Sequence, residues 1–316
     1  MATNRNAVEG AKTWEGFFGN DFGQAADLRF ATIERDGAGV ISGEVLPDDP
    51  LMGSMAAFRE VRDRMKAEGR PGAVFVHGFN NSWEDAVRAG LDLAEIYGME
   101  VLVFTWPSDG VLNYREVKRR AILSVPAFDR LLEKLVFGLK GTTPETACGQ
   151  RLSLIAHSMG NWILENFIRS DFFNNEFLIF DNVNMVAADV NNEGHVAWVD
   201  KIQARRDVNI FINEDDIALD ISTAKIGEKQ KARLGNFPRR LESKRAHYYN
   251  LTDALDRLGE LAEHSHGYFK DRKIILEKLG DTLYQFSKIG VALSDGFTGQ
   301  RIGGGHYHPG LNFYSL

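Results

Sequence analysis

Short apolar runs alternate with longer segments of helical periodicity along the chain. Five of these runs are typical of strands, because they are rich in β-branched and aromatic residues and end at polar, glycine or proline turns. They are AVFVH from Ala73, VLVFTW from Val101, LSLIA from Leu152, FLIFDNVNMVA from Phe177 and VNIFI from Val208. This alternation predicts an α/β fold, in which helices cover both faces of a mostly parallel sheet.

The segment NSWEDAVRAGLDLAEIYG, between the first two of these strands, predicts a helix. Ser82 is a favourable N-cap with Asp85 three residues later, and apolar residues recur at Val87, Leu91 and Ala94. The two strands and this helix therefore form a βαβ crossover.

The two ends of the chain depart from this alternation. Residues 28–46 hold two strand-like runs around an Asp-Gly turn, which predicts an antiparallel hairpin at the sheet edge. Near the other end, RAHYYNLTD from Arg245 predicts a last strand and RKIILEKLGDTLYQFSKI a last helix. Residues 290–316 are glycine-rich, so we expect an irregular tail whose aromatic residues dock on the rest of the chain. We see no internal repeat and expect a single domain over residues 1–316.

Composition limits the functional classes. With 44% hydrophobic residues and a formal net charge of −7, the chain is typical of a globular protein. The acidic balance argues against a nucleic-acid partner, because phosphate binding needs clustered Lys and Arg. The lone Cys148 cannot form an internal disulfide, and the sequence lacks a signal peptide and any apolar run long enough to span a membrane. We therefore expect a cytoplasmic protein; its oligomeric state does not follow from the sequence.

The stretch RLSLIAHSMGNWIL joins the third strand to a helix through a His-Ser-Met-Gly turn. A tight strand-to-helix turn strains the residue at its apex and exposes its side chain at the carboxyl edge of the sheet. Positions two before and two after the apex must be small, and here they are Ala156 and Gly160. Ser158 is therefore a candidate nucleophile, and the N–H of Met159 a candidate oxyanion donor. The alternative is a serine that only caps the helix.

The loop VHGFNNSW follows the first core strand, where a second oxyanion donor is needed. Its glycine lets the backbone approach a substrate closely, and we assign the donor to the N–H of Phe79. Asn80 or Asn81 would organise this loop, and we expect Asn80 to contact the substrate. Trp106, in the TWPS turn, would form one wall of the substrate pocket. The loop could equally be a glycine turn that ends in a helix cap.

After the nucleophile, the acid should come next along the chain and the base should come last. VNIFI runs into NEDDIAL, so Asp215 or Asp216 is a candidate acid, although adjacent carboxylates also favour a helix N-terminus. EHSHGYF, after the last predicted strand, offers His264 or His266 as the base. Asp189 ends the strand after the nucleophile strand and is a further candidate acid, but we expect it to organise its loop instead.

The chain resembles a bacterial, esterase/lipase-like branch of the α/β-hydrolase superfamily whose function is uncharacterised. The segments that together carry this resemblance are VFVHGFNNSWEDA, VLVFTWPS, LIAHSMGN, VAADV, DDIAL and HSHGYF. The resemblance spans about residues 28–269 and implies an eight-stranded, mostly parallel sheet whose second strand is antiparallel. It also implies that Ser158 is the nucleophile, Asp216 the acid and His266 the base. The second histidine, His264, and the glycine-rich tail depart from the pattern of this branch.

These residues predict a serine hydrolase that cleaves a carboxylic ester or related acyl bond of a small-molecule substrate through an acyl-enzyme. No cofactor or metal is expected, because the histidines of EHSH and GHYH lack a defined third ligand. One alternative is an acyltransferase, in which an alcohol or amine replaces water. Another is a non-catalytic binding or scaffold protein on the hydrolase fold, but that would predict an eroded triad.

Overall fold

A computed structural model describes residues 1–23, 27–47, 53–110, 113–139, 151–174, 178–224, 231–252, 265–270, 306–308 and 313–315. The strands are β1 (Ala2–Thr3), β2 (Arg5–Ala7), β3 (Phe18–Phe22), β4 (Arg29–Arg35), β5 (Ile41–Val45), β6 (Gly72–Val76), β7 (Glu100–Thr105), β8 (Leu152–His157), β9 (Asn182–Val186), β10 (Asp207–Ile212), β11 (Ala246–Asn250), β12 (His306–His308) and β13 (Phe313–Ser315). The helices are α1 (Gly53–Glu68), α2 (Trp83–Tyr97), α3 (Tyr114–Leu123), α4 (Val125–Leu139), α5 (Gly160–Arg169), α6 (Val196–Val199) and α7 (Ile217–Ala224), with a short 3₁₀ turn at Trp14–Gly16.

Among the described residues, eleven strands form one sheet in the order β12-β13-β11-β10-β9-β8-β6-β7-β1-β4-β5. Neighbours from β13 through β1 are parallel, whereas β12 with β13, β1 with β4 and β4 with β5 pair antiparallel. The prediction of a mostly parallel sheet is thus confirmed, and β4, its second strand in chain order, is antiparallel. The count exceeds the expected eight because β1, β12 and β13, each of two or three residues, add to the longer strands.

Helices cover both faces of this sheet. Helices α3, α4 and α5 pack on one face around a large apolar cluster, and α2 packs on the other. The N-terminus of α2 has the predicted capping box, because Ser82 Oγ accepts from Asp85 N–H while the Asp85 carboxylate accepts from Ser82 N–H. The parallel strands therefore direct their carboxyl ends to one edge of the sheet, where the loops after β6, β8 and β10 meet.

The run from Phe177 forms a strand only in its second half. Strand β9 begins at Asn182, and the preceding Ile179 and Phe180 are buried in the core without joining the ladder. Asp181 separates the two parts: its N–H donates to Leu152 O at 2.7 Å, and its carboxylate accepts from Leu152 N–H at 3.0 Å. A polar side chain that bonds to the next strand therefore ends the apolar run earlier than its composition indicates.

Both ends of the chain add to the sheet edges. Strands β4 and β5 form the hairpin expected within residues 28–46, around Asp36 and Gly37. The tail, expected to be irregular, instead contributes β12 and β13, of which β13 runs parallel to β11. Their aromatic residues favour strands, which the glycine content of the tail obscured. The predicted last helix, residues 272–289, lies outside the described residues.

Strands β2 and β3 form a separate antiparallel ribbon near the N-terminus. The ribbon packs on the start of α2: the Phe18 and Trp83 rings are 4.7 Å apart, and Trp83 Nε1 donates to Trp14 O at 2.6 Å. This part of the chain, in which the sequence pattern predicts no element, therefore lies beside the loop that joins β6 to α2.

Candidate active site

Ser158 lies at the apex of the turn between β8 and α5, and its φ of 53° is strained for a residue with a side chain. The turn is held on both sides. Ser158 N–H donates to Val186 O at 3.0 Å, and Ser158 O accepts from the N–H groups of Asp189 and Asn161, each at 3.1 Å. A non-glycine residue kept in this conformation by its surroundings is typical of a nucleophile turn.

Two glycines make room for this turn. A Cβ on Gly160 would lie 2.5 Å from Val76 O, so position 160 must be small, as the sequence indicates. A Cβ on Gly78 would lie 2.6 Å from Ser158 Cβ and 3.0 Å from its Oγ. The loop after β6 therefore passes directly beside the serine, with no space for a side chain at position 78.

Asp216 and His266 meet at the same edge of the sheet. His266 Nδ1 lies 2.8 Å from Asp216 Oδ2 and 3.0 Å from its Oδ1; the carboxylate is fully buried, and the imidazole is 26% exposed. A carboxylate can only accept, so Nδ1 carries the proton and Nε2 of the neutral ring is free to accept one. This is the orientation that a general base for a serine requires.

The acid loop and the histidine loop are tied together. Asp216 N–H donates to Asn213 O at 3.2 Å, and Leu219 N–H donates to the Asp216 carboxylate at 3.0 Å. Asn213 Nδ2 in turn donates to Ser265 O at 2.8 Å, next to His266. Asn213 thus fixes both partners of the pair, a role that no sequence pattern indicated.

His157 links the histidine loop to the nucleophile strand. Its Nε2 lies 3.0 Å from His266 O, and its ring packs 4.7 Å from the His266 ring and 5.0 Å from the Phe269 ring. Burial, followed by the positive charge of a protonated His266, lowers the pKa of His157 well below its usual value. His157 is therefore a neutral N–H donor that holds the loop of His266.

In the part of the chain that the structure describes, no hydrogen bond joins the Ser158 hydroxyl to His266. Bonds between nucleophile and base are often long without substrate and shorten when it binds. Met159, the next residue, is the N-cap of α5, and no acceptor among the described residues bonds to its N–H. Its N–H is thus a donor at a helix N-terminus, which is the kind of group that binds an anion.

The loop of residues 77–82, which carries Phe79 and Asn80, is held by many bonds. Asn81 N–H donates to Ser108 Oγ and Asn80 N–H to Ser108 O, both at 3.0 Å. Asn81 Nδ2 donates to Phe79 O at 2.8 Å, so Asn81 is the asparagine that organises the loop. Asn80 has a φ of 54° and is exposed, which leaves its side chain available to a substrate.

His77 orients the peptide that joins Gly78 to Phe79 in this loop. Trp106 N–H donates to His77 Nε2 at 3.1 Å, so Nε2 is an acceptor and Nδ1 carries the proton, which it donates to Gly78 O at 3.0 Å. Carbonyl and N–H point in opposite directions across a trans peptide, so this bond turns the Phe79 N–H away from His77. Burial lowers the pKa of His77 to about 3, which keeps the ring neutral.

Trp106 does not form the wall of an open pocket, as the sequence suggested. Its side chain is fully buried, its ring stacks on His77 at 5.6 Å, and its Nε1 donates to His77 O at 3.0 Å. Because the indole N–H donates to the backbone carbonyl of His77, the ring lies beneath the loop of residues 77–82. Trp106 thus supports the loop of residues 77–82 from inside the core.

Asp189 lies beside the serine but bonds to other partners. Its carboxylate accepts from Tyr114 Oη at 2.7 Å and from Ser222 Oγ at 2.6 Å, and it forms an ion pair with the fully buried Arg233 at 3.1 Å. These contacts satisfy both of its oxygens away from His266. Asp189 therefore organises its loop, as expected, and is not a partner of His266.

Of the predicted site residues, the structure brings together Ser158, Met159, Phe79, Asp216 and His266 at one edge of the sheet. Asp215 is exposed and its N–H bonds to Asn213 Oδ1, whereas His264 lies outside the described residues. Sequence reasoning missed Arg5, which is fully buried and pairs with Asp109 at 2.8 Å beside the loop of residues 77–82. No local pattern marks a lone arginine near a chain end as a buried residue.

Neither a metal cluster nor a membrane span is found in the described residues. They hold no group of three or more His, Cys, Asp or Glu side chains that could bind a metal ion. The metal candidates EHSH and GHYH fall largely outside the residues whose side chains are described. None of the described helices has the length and apolar character needed to cross a bilayer.

Residues 54–277 match a protein family described as alpha/beta hydrolase of unknown function (DUF900). The match covers β6 to β11 and every residue of the candidate site named above except Arg5. A comparison with curated proteins gave no match.

Proposed function

The chain belongs to the DUF900 family of α/β hydrolases, and we propose that it is a serine hydrolase that cleaves a carboxylic ester or related acyl bond. The proposed triad is Ser158, His266 and Asp216. The observation that carries the proposal is the bond between His266 Nδ1 and the buried Asp216 carboxylate, next to a serine held at positive φ. These three residues come from separate loops, and a fold without catalysis has no need to bring them together.

In the first half of the reaction, Ser158 Oγ attacks the substrate carbonyl carbon while His266 Nε2 takes the hydroxyl proton. Asp216 keeps the proton of the imidazole on Nδ1 and stabilises the positive charge that the ring acquires. The carbonyl oxygen becomes an oxyanion, which the N–H groups of Met159 and Phe79 bind. Collapse of this intermediate expels the alcohol, which receives its proton from His266, and leaves the acyl group on Ser158.

In the second half, a water molecule attacks the acyl-enzyme carbonyl and gives its proton to His266. The same two N–H groups bind the second oxyanion. Collapse then releases the carboxylic acid, and the proton on His266 returns to Ser158 Oγ. The backbone donors and the Asp216–His266 pair supply everything that these steps require.

Labelling with a fluorophosphonate probe tests the proposal. The phosphorus centre should react with Ser158 Oγ, so the intact protein should gain the mass of one phosphonyl group, located on Ser158 by peptide mass spectrometry. Ser158→Ala should abolish both labelling and the hydrolysis of 4-nitrophenyl esters of increasing acyl length, with an unchanged melting temperature. Ser153→Ala, in the strand that precedes Ser158, is a control that should still be labelled. Label that persists in Ser158→Ala would contradict the proposal.

A further inference from the structure

Arg5 makes an unusual set of contacts for a residue outside the part of the chain that matches the family. Its side chain is fully buried, and its guanidinium bonds to three separate segments. Nε donates to Thr105 Oγ1 at 3.1 Å, Nη1 to Asp109 Oδ1 at 2.8 Å and to Gly19 O at 3.1 Å, and Nη2 to Asn81 O at 2.6 Å. The N-terminal ribbon, the turn after β7 and the loop of residues 77–82 therefore meet at one charged group.

Stability alone does not explain such a group. Burial lowers the pKa of Arg5 from its usual value, and the negative charge of Asp109 offsets this effect only in part. Buried ion pairs can often be replaced by apolar residues without loss of stability, because desolvation offsets their attraction. What a planar guanidinium provides is geometry, since its donors point in fixed directions and hold several acceptors at once.

Arg5 bonds directly to Asn81, near the carboxyl end of the loop of residues 77–82. The Asn81 carbonyl that it holds is also bonded by Ser108 Oγ at 3.1 Å, and Asn81 Nδ2 donates back to Phe79 O at 2.8 Å. A shift of the Asn81 peptide would therefore move the carbonyl side of Phe79.

Arg5 also controls the near end, through Thr105 and His77. The Thr105 hydroxyl oxygen accepts from Arg5 Nε, and its proton is then available to His77 Nε2, 3.0 Å away. A second donor to Nε2 reinforces the tautomer in which Nδ1 donates to Gly78 O. The two peptides that flank Phe79 Cα are thus both connected to one guanidinium.

We propose that Arg5 is a positioning residue that fixes the Phe79 N–H of the oxyanion hole, so that the N-terminal segment completes the active site of this chain. The inference rests on the proposed function. It assigns to residues 1–23 a role in transition-state binding, which the family match at residues 54–277 does not include.

The test compares Arg5→Lys with Arg120→Lys. Lysine keeps the charge but cannot bond Thr105, Asp109 and Asn81 together. Arg120 is a matched control, because it bonds the same ribbon at Asn20 O at 2.8 Å and has no bond to the loop. With 4-nitrophenyl acetate, Arg5→Lys should lower kcat about ten- to a hundredfold and change KM less than twofold, since an oxyanion donor acts mainly in the transition state. Arg120→Lys should leave both within twofold.

A trifluoromethyl ketone gives an independent measure of the oxyanion hole. Ser158 Oγ adds to its carbonyl carbon, the hydroxyl proton passes to His266, and the carbonyl oxygen becomes a stable oxyanion. Its inhibition constant should rise in Arg5→Lys by about the same factor by which kcat falls, and stay unchanged in Arg120→Lys. Wild-type kcat and inhibitor affinity in a folded Arg5→Lys protein would overturn the inference and leave the proposed function intact.

Two further measurements separate positioning from folding and from the proposed function. The double variant Arg5→Met with Asp109→Leu removes both buried charges, so it should melt within a few degrees of wild type. Its kcat should nevertheless be as low as that of Arg5→Lys. Hydrogen exchange of the Asn80 and Asn81 amides should be faster in Arg5→Lys than in Arg120→Lys. If the wild type neither hydrolyses esters nor reacts with the phosphonate, the proposed function fails; unchanged exchange would then overturn the positioning role as well.

Discussion

His157 Nε2 lies 3.0 Å from the carbonyl oxygen of His266, so the residue before the proposed nucleophile holds the residue proposed as its base. The bond crosses between segments 109 positions apart in the chain. It fixes the backbone of His266, while Asp216 fixes the ring. The position of the imidazole therefore depends on two independent contacts.

Replacing His157 tests the first of these contacts. We expect His157→Phe to keep the ring packing against Phe269 but to lose the bond, which lets the His266 loop shift and lowers kcat about tenfold with little change in KM. His157→Gln, whose amide can still donate, should recover part of the loss. Steady-state ester hydrolysis and melting temperatures for both variants check this. Equal activity of His157→Phe and wild type would contradict it.

Replacing each of the neighbouring aspartates tests the acid. Asp216→Asn should lower kcat by about 10³–10⁴-fold, because an amide can present its N–H to the imidazole and favour the wrong tautomer. Asp215→Asn is the matched control and should stay within twofold of wild type, since its side chain is exposed. Rates of 4-nitrophenyl ester hydrolysis decide between them. Reversed effects would transfer the role to Asp215.

Acid should destabilise the protein through its buried histidines. Burial lowers the pKa of His77 to about 3, whereas an unfolded histidine titrates near 6.5, so the unfolded state binds the proton first as the pH falls. The contribution of neutral His77 to the free energy of unfolding is complete above about pH 6.5 and decreases toward pH 3. Between pH 7 and 5 this loss is on the order of 2 kcal/mol, and His157 acts in the same direction.

Urea unfolding of wild type and His77→Gln at pH 7 and pH 5 measures this contribution. Glutamine does not titrate, so the free energy of unfolding of the variant should depend less on pH over this interval, even if its stability at pH 7 is lower. An identical pH dependence in the two proteins would show that His77 does not titrate in this way.

Much of the fold and of the proposed triad follows from local patterns. The strands around Val74, Leu154 and Ile210 alternate with helices, and in a parallel sheet this places the loops after them at one edge. The small residues around Ser158 identified the turn in the same way. The choice of Asp216 and His266 came from the resemblance, because the residues alone left Asp215 and His264 open.

The support of the site could not be predicted, because it depends on contacts between distant segments. Arg5 meets Asp109 across 104 positions, and Asn213 meets Ser265 across 52. Neither pair has a periodic or spaced pattern. Trp106 was misassigned for a related reason: a tryptophan in a turn suggests a pocket wall, and only the His77 carbonyl that accepts its N–H shows that it faces the core.

Strand β1 has a consequence for the order in which the chain folds. It is inserted between β4 and β7, with Ala2 opposite both Phe30 and Phe104, and in this sheet β4 and β5 connect to the rest only through it. Strand β1 therefore needs, besides β4, a second partner about a hundred positions later, and contacts over such separations form slowly. During synthesis, the hairpin of β4 and β5 cannot join the sheet until β7 has been made. Because Arg5 lies two residues after this strand, we expect the loop of residues 77–82 to reach its final geometry late, after the central strands have assembled.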